Sequence, residues 1–220
     1  MPAFIFDLDG TLIDTSYAHV MAWQQSLDEV DIPVDGWRIH RRIGMSGGLL
    51  LHALSDELSC KISPDLARRL QERHGEIFRE SPCVGRPLRG AIKLLRKLRE
   101  LEIPYGIATS GTRPGIKPSL DALQIDDSVI VVEGKSIKHP KPEPDELERC
   151  RQRLNVPAEE CFVVGDAIWD LLAASRAKMF SIGLLSGGYP ARELFDAGAH
   201  RVFCDPTELH DSLYQLGLCP

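Results

Sequence analysis

The sequence has no CxxC pair and no Cys/His cluster at zinc-ligand spacing. Its six cysteines, Cys60, Cys83, Cys150, Cys161, Cys204 and Cys219, therefore read as free thiols in a reducing compartment. It has no basic surplus either: 26 Lys and Arg stand against 32 Asp and Glu, a formal net charge of −6. That balance removes the electrostatic footprint of a nucleic-acid binder and the polybasic signal of an anionic-membrane binder. No segment approaches the roughly 20 apolar residues needed to cross a bilayer. The opening MPAFIFDLDG reaches its acids after a very short apolar stretch, with no basic leader region and no cleavage site. Internal repeats are absent and low-complexity sequence is scarce. Together these absences predict a cytoplasmic protein that acts on a small molecule, with no nucleic-acid or membrane partner. Its oligomeric state, monomer or homodimer, stays open.

What is present is ordinary globular material. The 220 residues, 43% hydrophobic and 26% charged, suffice for one substantial core and a smaller appendage. Ala3 to Phe6 is a short apolar run bounded by polar residues, the pattern of a strand buried on both faces. Tyr105 to Thr109, Val129 to Val132, Cys161 to Val164, Phe180 to Leu184 and Arg201 to Phe203 repeat it. Helical patterns lie between them at Leu88 to Leu101, Pro114 to Leu123, Asp145 to Leu154 and Trp169 to Ala177. The cations between Arg86 and Arg99 alternate with Leu88, Ile92, Leu95 and Leu98 at helical spacing and read as a solvated helix face. Alternating strand and helix predict an α/β fold, a Rossmann-like parallel sheet covered by helices. In such sheets ligands bind outside the carboxyl ends of the strands, so the residues just after each apolar run are the ones to inspect.

Residues 16–81 break the alternation. Helical patterns occur at Tyr17 to Val30, Leu49 to Leu58 and Pro64 to Phe78, with no strand among them. The reading is a helical lid, residues 16–81, inserted into a core made of residues 1–15 and 82–220. Pro82, Gly85, Pro87 and Gly90 give the return segment a linker composition.

Four predicted strand ends carry chemistry. The first gives Asp7-Leu8-Asp9-Gly10-Thr11-Leu12, two acids before a glycine suited to a sharp turn. The second gives Thr109-Ser110-Gly111-Thr112, whose hydroxyls and amides suit an anion and equally suit a helix N-cap. Next comes Lys138-His139-Pro140-Lys141-Pro142-Glu143-Pro144, where flanking prolines hold Lys141 on a stiff path. The fourth gives Gly165-Asp166-Ala167-Ile168-Trp169-Asp170, two acids four apart and so on one helix face, each also explicable as a cap or first-turn acid. Capping alone does not predict four acids, a hydroxyl and a lysine at one edge.

In order and spacing, DLDGTL at Asp7, TSG at Ser110, KPEPD at Lys141 and GDAIWD at Asp166 resemble the haloacid dehalogenase superfamily of phosphohydrolases. The helical insert resembles the C1 cap of its phosphoglycolate phosphatases and β-phosphoglucomutases. The resemblance implies a Mg2+-dependent phosphatase for a small phosphorylated metabolite such as phosphoglycolate or a sugar phosphate. It implies Asp7 as nucleophile and Asp9 as general acid and base. Ser110, Gly111 and Lys141 would cradle the phosphate. The metal would be held by Asp7, the Asp9 carbonyl, Asp166 and, in or beside the first shell, Asp170. In the cap, Arg42 and Ser46 are candidate substrate contacts, with a plain helix–helix loop as the other reading.

Several rivals are weighed by residue. The family's dehalogenases lack the second Asp, so Asp9 favours phosphoryl transfer. A phosphonate-cleaving relative would need a cap lysine, and the insert offers only Lys61, in an ordinary polar turn. A mutase resembling β-phosphoglucomutase would pass the phosphoryl group to a sugar hydroxyl, but Gly47 stands where those mutases carry a cap arginine. A phospho-Asp signalling module combines similar groups in another chain order and without a lid. Ser186-Gly187-Gly188-Tyr189 reads as a plain loop.

Overall fold

The computed structural model describes residues 2–217, apart from the Ser136 side chain, so Cys219 lies outside them. Six strands form one parallel sheet: β1 (Ala3–Phe6), β2 (Tyr105–Thr109), β3 (Ile130–Glu133), β4 (Cys161–Gly165), β5 (Phe180–Leu184) and β6 (Arg201–Phe203), in the order β3-β2-β1-β4-β5-β6. The chain first builds outward from β1 through β2 to β3, then crosses back to lay β4 on the other side of β1. The strand order therefore reverses between β1 and β4, and the crevice for a ligand opens above that pair.

Every residue of β1 is fully buried because helices cover both faces of the sheet. Side chains alternate along a strand, so Phe4 and Phe6 face one layer while Ala3 and Ile5 face the other. The Phe4 and Phe6 layer is completed by α5 (Ala91–Glu100), α6 (Arg113–Ala122) and α10 (Pro206–Asp211), through Leu94, Leu98, Leu120 and Leu209. The Ile5 layer is completed by α7 (Asp145–Leu154) and α8 (Ile168–Arg176), through Leu147, Cys150, Ala173 and Ala174. A further helix, α9 (Ala191–Asp196), packs Leu194 against Leu171 and Tyr189.

Among the described residues only helices occur between Ser16 and Arg79: α1 (Ser16–Asp28), α2 (Gly36–His40), α3 (Gly47–Leu58) and α4 (Pro64–Arg79). They surround a core of their own, with Trp23, Leu27, Ile39, Leu50, Leu54 and Leu70. Ser63 accepts from the Leu66 N–H to start α4, and Pro64 fills its first turn, where no intrahelical N–H bond is lost. No helix in the described residues is long and apolar enough to cross a membrane.

The sequence expectations differ from the structure at three kinds of place. The pattern at Leu88 to Leu101 becomes helix only from Ala91, because Gly90 takes φ +85° immediately before it. The strand expected at Val129 to Val132 runs one residue later. The short helices α2, α9 and α10, five or six residues each, are too brief to show a 3.6-residue period and were not expected.

Candidate active site

Asp7 follows β1 directly, and its N–H donates to the Val164 carbonyl at 2.9 Å, so the sheet ladder fixes its position. Asp166 follows β4 on the other side of the strand reversal. Lys141 arrives from the loop after β3. Its ammonium pairs with Asp7 Oδ1, lies 2.9 Å from Asp170 Oδ1 and 3.7 Å from Glu146 Oε2, and donates to the Ala108 carbonyl at 3.3 Å. All five charged side chains are buried, Glu146 completely.

Asp166 and Asp170 do not share a helix face, contrary to the sequence expectation. Asp166 precedes α8, and Asp170 in its first turn folds back to accept from the Ala167 N–H at 3.1 Å. That bond turns Asp170 toward Lys141. Asp166 accepts from Thr11 Oγ1 at 2.8 Å and Ser16 Oγ at 3.4 Å. It nests between Gly10, which takes φ +81° in the turn after Asp9, and Gly187; a Cβ on either glycine would collide with its carboxylate.

One ammonium among four buried carboxylates leaves negative charge uncompensated. Burial pushes Asp7 well above the usual carboxylate range, further than Lys141 can pull it back, with Asp170 and Asp166 adding to the rise. Burial and the neighbouring Asp170 push Asp166 up to about 7. Burial pulls the Lys141 pKa down, but Asp170, Asp7 and Glu146 outweigh it and hold the ammonium well above its ordinary value. Carboxylate oxygens of Asp7, Asp166 and Asp170 lie within 4.8 Å of one another. An all-oxygen donor set with surplus negative charge fits a hard divalent cation.

The Asp9 carboxylate turns away from this cluster toward the lid. Thr15 Oγ1 donates to its Oδ1 at 2.6 Å, and His19 Nε2 lies 3.4 Å from the same oxygen. Burial pushes Asp9 up, but the charge and hydrogen bond of His19 and the bond from Thr15 outweigh it, so the group sits below the usual carboxylate range. His19 Nδ1 is 3.0 Å from His74 Nε2 on α4, and burial together with His19 keeps His74 well below an ordinary histidine. The sequence reading passed over both histidines. For His19 a signal existed: Thr15 and His19 are four apart, one turn of α1, so both reach back to the Asp9 loop. For His74 none did, since α4 lies some fifty residues away in the chain.

Asp7 and Asp9 open onto a cavity of about 270 Å³ whose lining also includes Ser110 and Gly111. Ser110 Oγ sits 3.3 Å from the Gly44 carbonyl of the lid and 3.4 Å from Glu146 Oε1. The Gly111 N–H donates to Thr109 Oγ1 at 3.1 Å and serves an incoming oxygen only by giving up that bond. Neither of the two cap candidates lines the cavity, and their contacts match the plain helix–helix loop that was the other reading. Arg42 pairs with Glu57 and donates to the Arg38 carbonyl at 2.7 Å, which ties the lid to itself. Ser46 caps α3 by accepting from the Leu49 N–H.

Ser186-Gly187-Gly188-Tyr189 is more than a connecting loop. Ser186 donates to the Gly10 carbonyl at 2.6 Å, the Gly187 carbonyl meets His40 Nε2 at 2.7 Å, and Tyr189 donates to the Arg41 carbonyl at 3.0 Å. The segment therefore supports the Asp9-Gly10 turn and docks the end of α2. Its glycines were legible, but a contact partner 176 residues away was not.

Residues 4–184 match the haloacid dehalogenase-like hydrolase family. A phosphoglycolate phosphatase from Rhodospirillum rubrum is 30% identical over 223 residues, 96% of this chain and 90% of its own. The solved structure of a hydrolase from Pseudomonas syringae superposes with a TM-score of 0.94 at 42% identity, covering 98% of this chain and 99% of that one. A β-phosphoglucomutase from Clostridium difficile superposes with a TM-score of 0.84 at 25% identity, covering 99% and 97%. Matched over most of its length, with the acids and the lysine gathered where its strand order reverses, the chain belongs to the haloacid dehalogenase-like hydrolase family and is an enzyme of its phosphoglycolate phosphatase and β-phosphoglucomutase-like subgroup.

Proposed function

We propose that this enzyme is a Mg2+-dependent phosphatase of small organic phosphate monoesters, cytoplasmic, and that it works through a transient phosphate ester on Asp7. The observation that carries the reading is the position of Asp7: fixed by the sheet, facing the cavity, and flanked by Lys141, Asp166 and Asp170. Asp7, Asp166 and Asp170, with the Asp9 carbonyl, would hold the ion. Bound Mg2+ would offset the repulsion between carboxylates and a phosphate dianion, which at 4 Å is about 4 kcal/mol per pair of unit charges at an effective dielectric near 20.

In the first displacement an Asp7 oxygen forms a bond to phosphorus as the bond to the leaving oxygen breaks. Asp9 gives that oxygen a proton. His19 and Thr15 favour the ionised form of Asp9 in the free site, and the arriving dianion shifts it toward the protonated form that the first step needs. Asp9 then takes a proton from water as the water oxygen attacks the same phosphorus, and the bond to Asp7 breaks to release inorganic phosphate. Ser110 and Lys141 hold the equatorial oxygens, where transition-state charge spreads.

Water is favoured over a sugar hydroxyl as final acceptor because the lid offers no cation at position 47. A Cβ on Gly47 would already sit 3.0 Å from Trp23 Cζ2 and 3.1 Å from Gln71 Cγ, so Trp23 occupies the space a larger side chain would need. The chain's net charge of −6 and the size of the cavity favour a small metabolite over nucleic acid or a lipid surface.

Multiple turnover of acetyl phosphate and p-nitrophenyl phosphate with Mg2+, abolished by EDTA and by Asp7→Asn, tests the proposal. Acid-quenched enzyme should carry phosphate on the Asp7 peptide by mass spectrometry. Undiminished turnover by Asp7→Asn would sink it. β-Glucose 1-phosphate should yield glucose and phosphate, and formation of glucose 6-phosphate would favour a mutase.

A further inference from the structure

Away from Asp7 and Asp9 the character of the cavity changes. Four rings from two lid helices stack on one another. His19 lies on Phe78 with centroids 3.9 Å apart and planes 6° apart, Trp23 lies on His74 at 4.1 Å and 14°, and His19 and His74 meet at 5.2 Å and 20°. All four rings line the cavity. The lid loop before α3 adds Ile43 and Met45, α3 adds Leu50, and α6 of the core adds Ile116. Gly47 leaves Trp23 in place at this wall, since any side chain there would press on the indole.

Charge is scarce on this side. Arg79, exposed at the end of α4, is the one Lys or Arg among the described lining residues. Gln71 and Thr112 are neutral, burial keeps His74 well below an ordinary histidine, and His19 is turned to Asp9. Desolvating a carboxylate, a second phosphate or a row of hydroxyls against aromatic and aliphatic carbon is unfavourable unless each finds a partner. A flat uncharged ring loses nothing there, and it gains both the area it buries and the preferred geometry of stacked rings.

We propose that this half of the cavity is a leaving-group pocket for a compact, uncharged aromatic or heteroaromatic ring, so that the preferred substrates are monophosphates of ring-bearing alcohols. The proposal rests on the phosphatase reading and narrows it. A volume of about 270 Å³ limits the leaving group to a single ring system once the phosphoryl group is seated over Asp7. It also separates this enzyme's preference from the phosphoglycolate of the relative's name, since a carboxylate would face the aromatic wall with Arg79, and a His19 already engaged by Asp9, to meet it.

The test compares kcat/KM of the full-length enzyme with Mg2+ for benzyl phosphate, glycerol 1-phosphate, phosphoglycolate and glucose 6-phosphate. All four are alkyl esters, so intrinsic leaving ability does not dominate. Benzyl phosphate should exceed the other three by about 10- to 50-fold, the size of one stacked and buried ring. Trp23→Leu should bring the benzyl-to-glycerol ratio down toward one, and Trp23→Phe should keep most of it. The ratio is read within one preparation, so a loss of folded protein cancels. Acetyl phosphate, which bears no ring, reports the Asp7 chemistry alone. If the enzyme turns over acetyl phosphate but prefers phosphoglycolate or glucose 6-phosphate, or shows no benzyl preference, the ring pocket is overturned and the phosphatase reading stands. If acetyl phosphate is not turned over either, both fall.

Discussion

The two sides of one cavity are built by opposite rules. On the sheet side, Asp7, Asp166, Asp170, Glu146 and Lys141 are charged, buried and held by strand ends or the first turns of helices. On the lid side, Trp23, His74 and Phe78 are neutral rings that project from helices and stack on one another, in a wall that Met45 and Ile116 also line. The difference divides labour. On the proposed mechanism the groups that react are held at strand ends and first turns around a parallel sheet, whereas the groups proposed to choose a substrate project from the helices of the lid.

Removing Lys141 should break the comparison most severely, because among the described residues it is the one cation paired with Asp7, Asp170 and Glu146. Deleting one partner of a buried charge cluster costs about 3–5 kcal/mol, so the metal-free Lys141→Met variant should unfold about 10 °C lower than the parent. The pH dependence has a definite sign. Acids whose folded pKa is raised hold more protons folded than unfolded, so stability falls as pH rises, and the deficit should be larger near pH 8 than near pH 5. Removing Arg79, the cation on the lid side, should change stability by no more than about 0.5 kcal/mol because it is exposed. Comparable melting temperatures for the two variants would remove the distinction.

The same division explains what could be read from the sequence. Asp7, Ser110, Lys141 and Asp166 follow apolar runs at strand ends, and local pattern plus the geometry of parallel sheets suffices to gather them. All six strands fall where the apolar runs predict, to within one residue at their ends, for the same reason. The lid pocket was not legible, because it depends on Trp23 and His74 being brought together by the packing of α1 on α4. The choice between the two readings of Arg42 and Ser46 was open in the sequence on the same account. A guanidinium near a glycine-rich loop looks like a ligand site until Glu57, fifteen residues on, is seen to occupy it. Glu146 went unremarked because an acid in the first turn of a helix is ordinary, and only the fold shows it buried beside Lys141.

Glu146 sharpens the comparison at intermediate cost. It accepts from Ser110 Oγ and faces Lys141, and burial raises its pKa above the ordinary glutamate range. Glu146→Leu leaves both neighbours short of a partner and should cost about 2–3 kcal/mol, whereas Glu146→Gln, which keeps shape and polarity, should cost about 1 kcal/mol. Because the residue belongs to the sheet side, kcat/KM should fall by a similar factor for acetyl, benzyl and glycerol phosphates. A change confined to one ester would place Glu146 among the specificity groups instead.

A last effect concerns the lid alone. Burial and His19 keep His74 neutral in the fold, well below its ordinary pKa, while in the unfolded chain it titrates near 6.5. Between those values the unfolded chain holds the extra proton, so stability rises with pH and is lost as pH falls below about 6.5, by up to about 1.4 kcal/mol per pH unit. This sign is opposite to that of the buried acids on the sheet side. His74→Phe keeps a ring on Trp23 and removes the titration. The fall in melting temperature from about pH 7.5 to 5.5 should therefore be about 2–6 °C smaller in the variant than in the parent. An unchanged difference would mean that His74 takes up its proton within the fold, and the lid side would then carry charge after all.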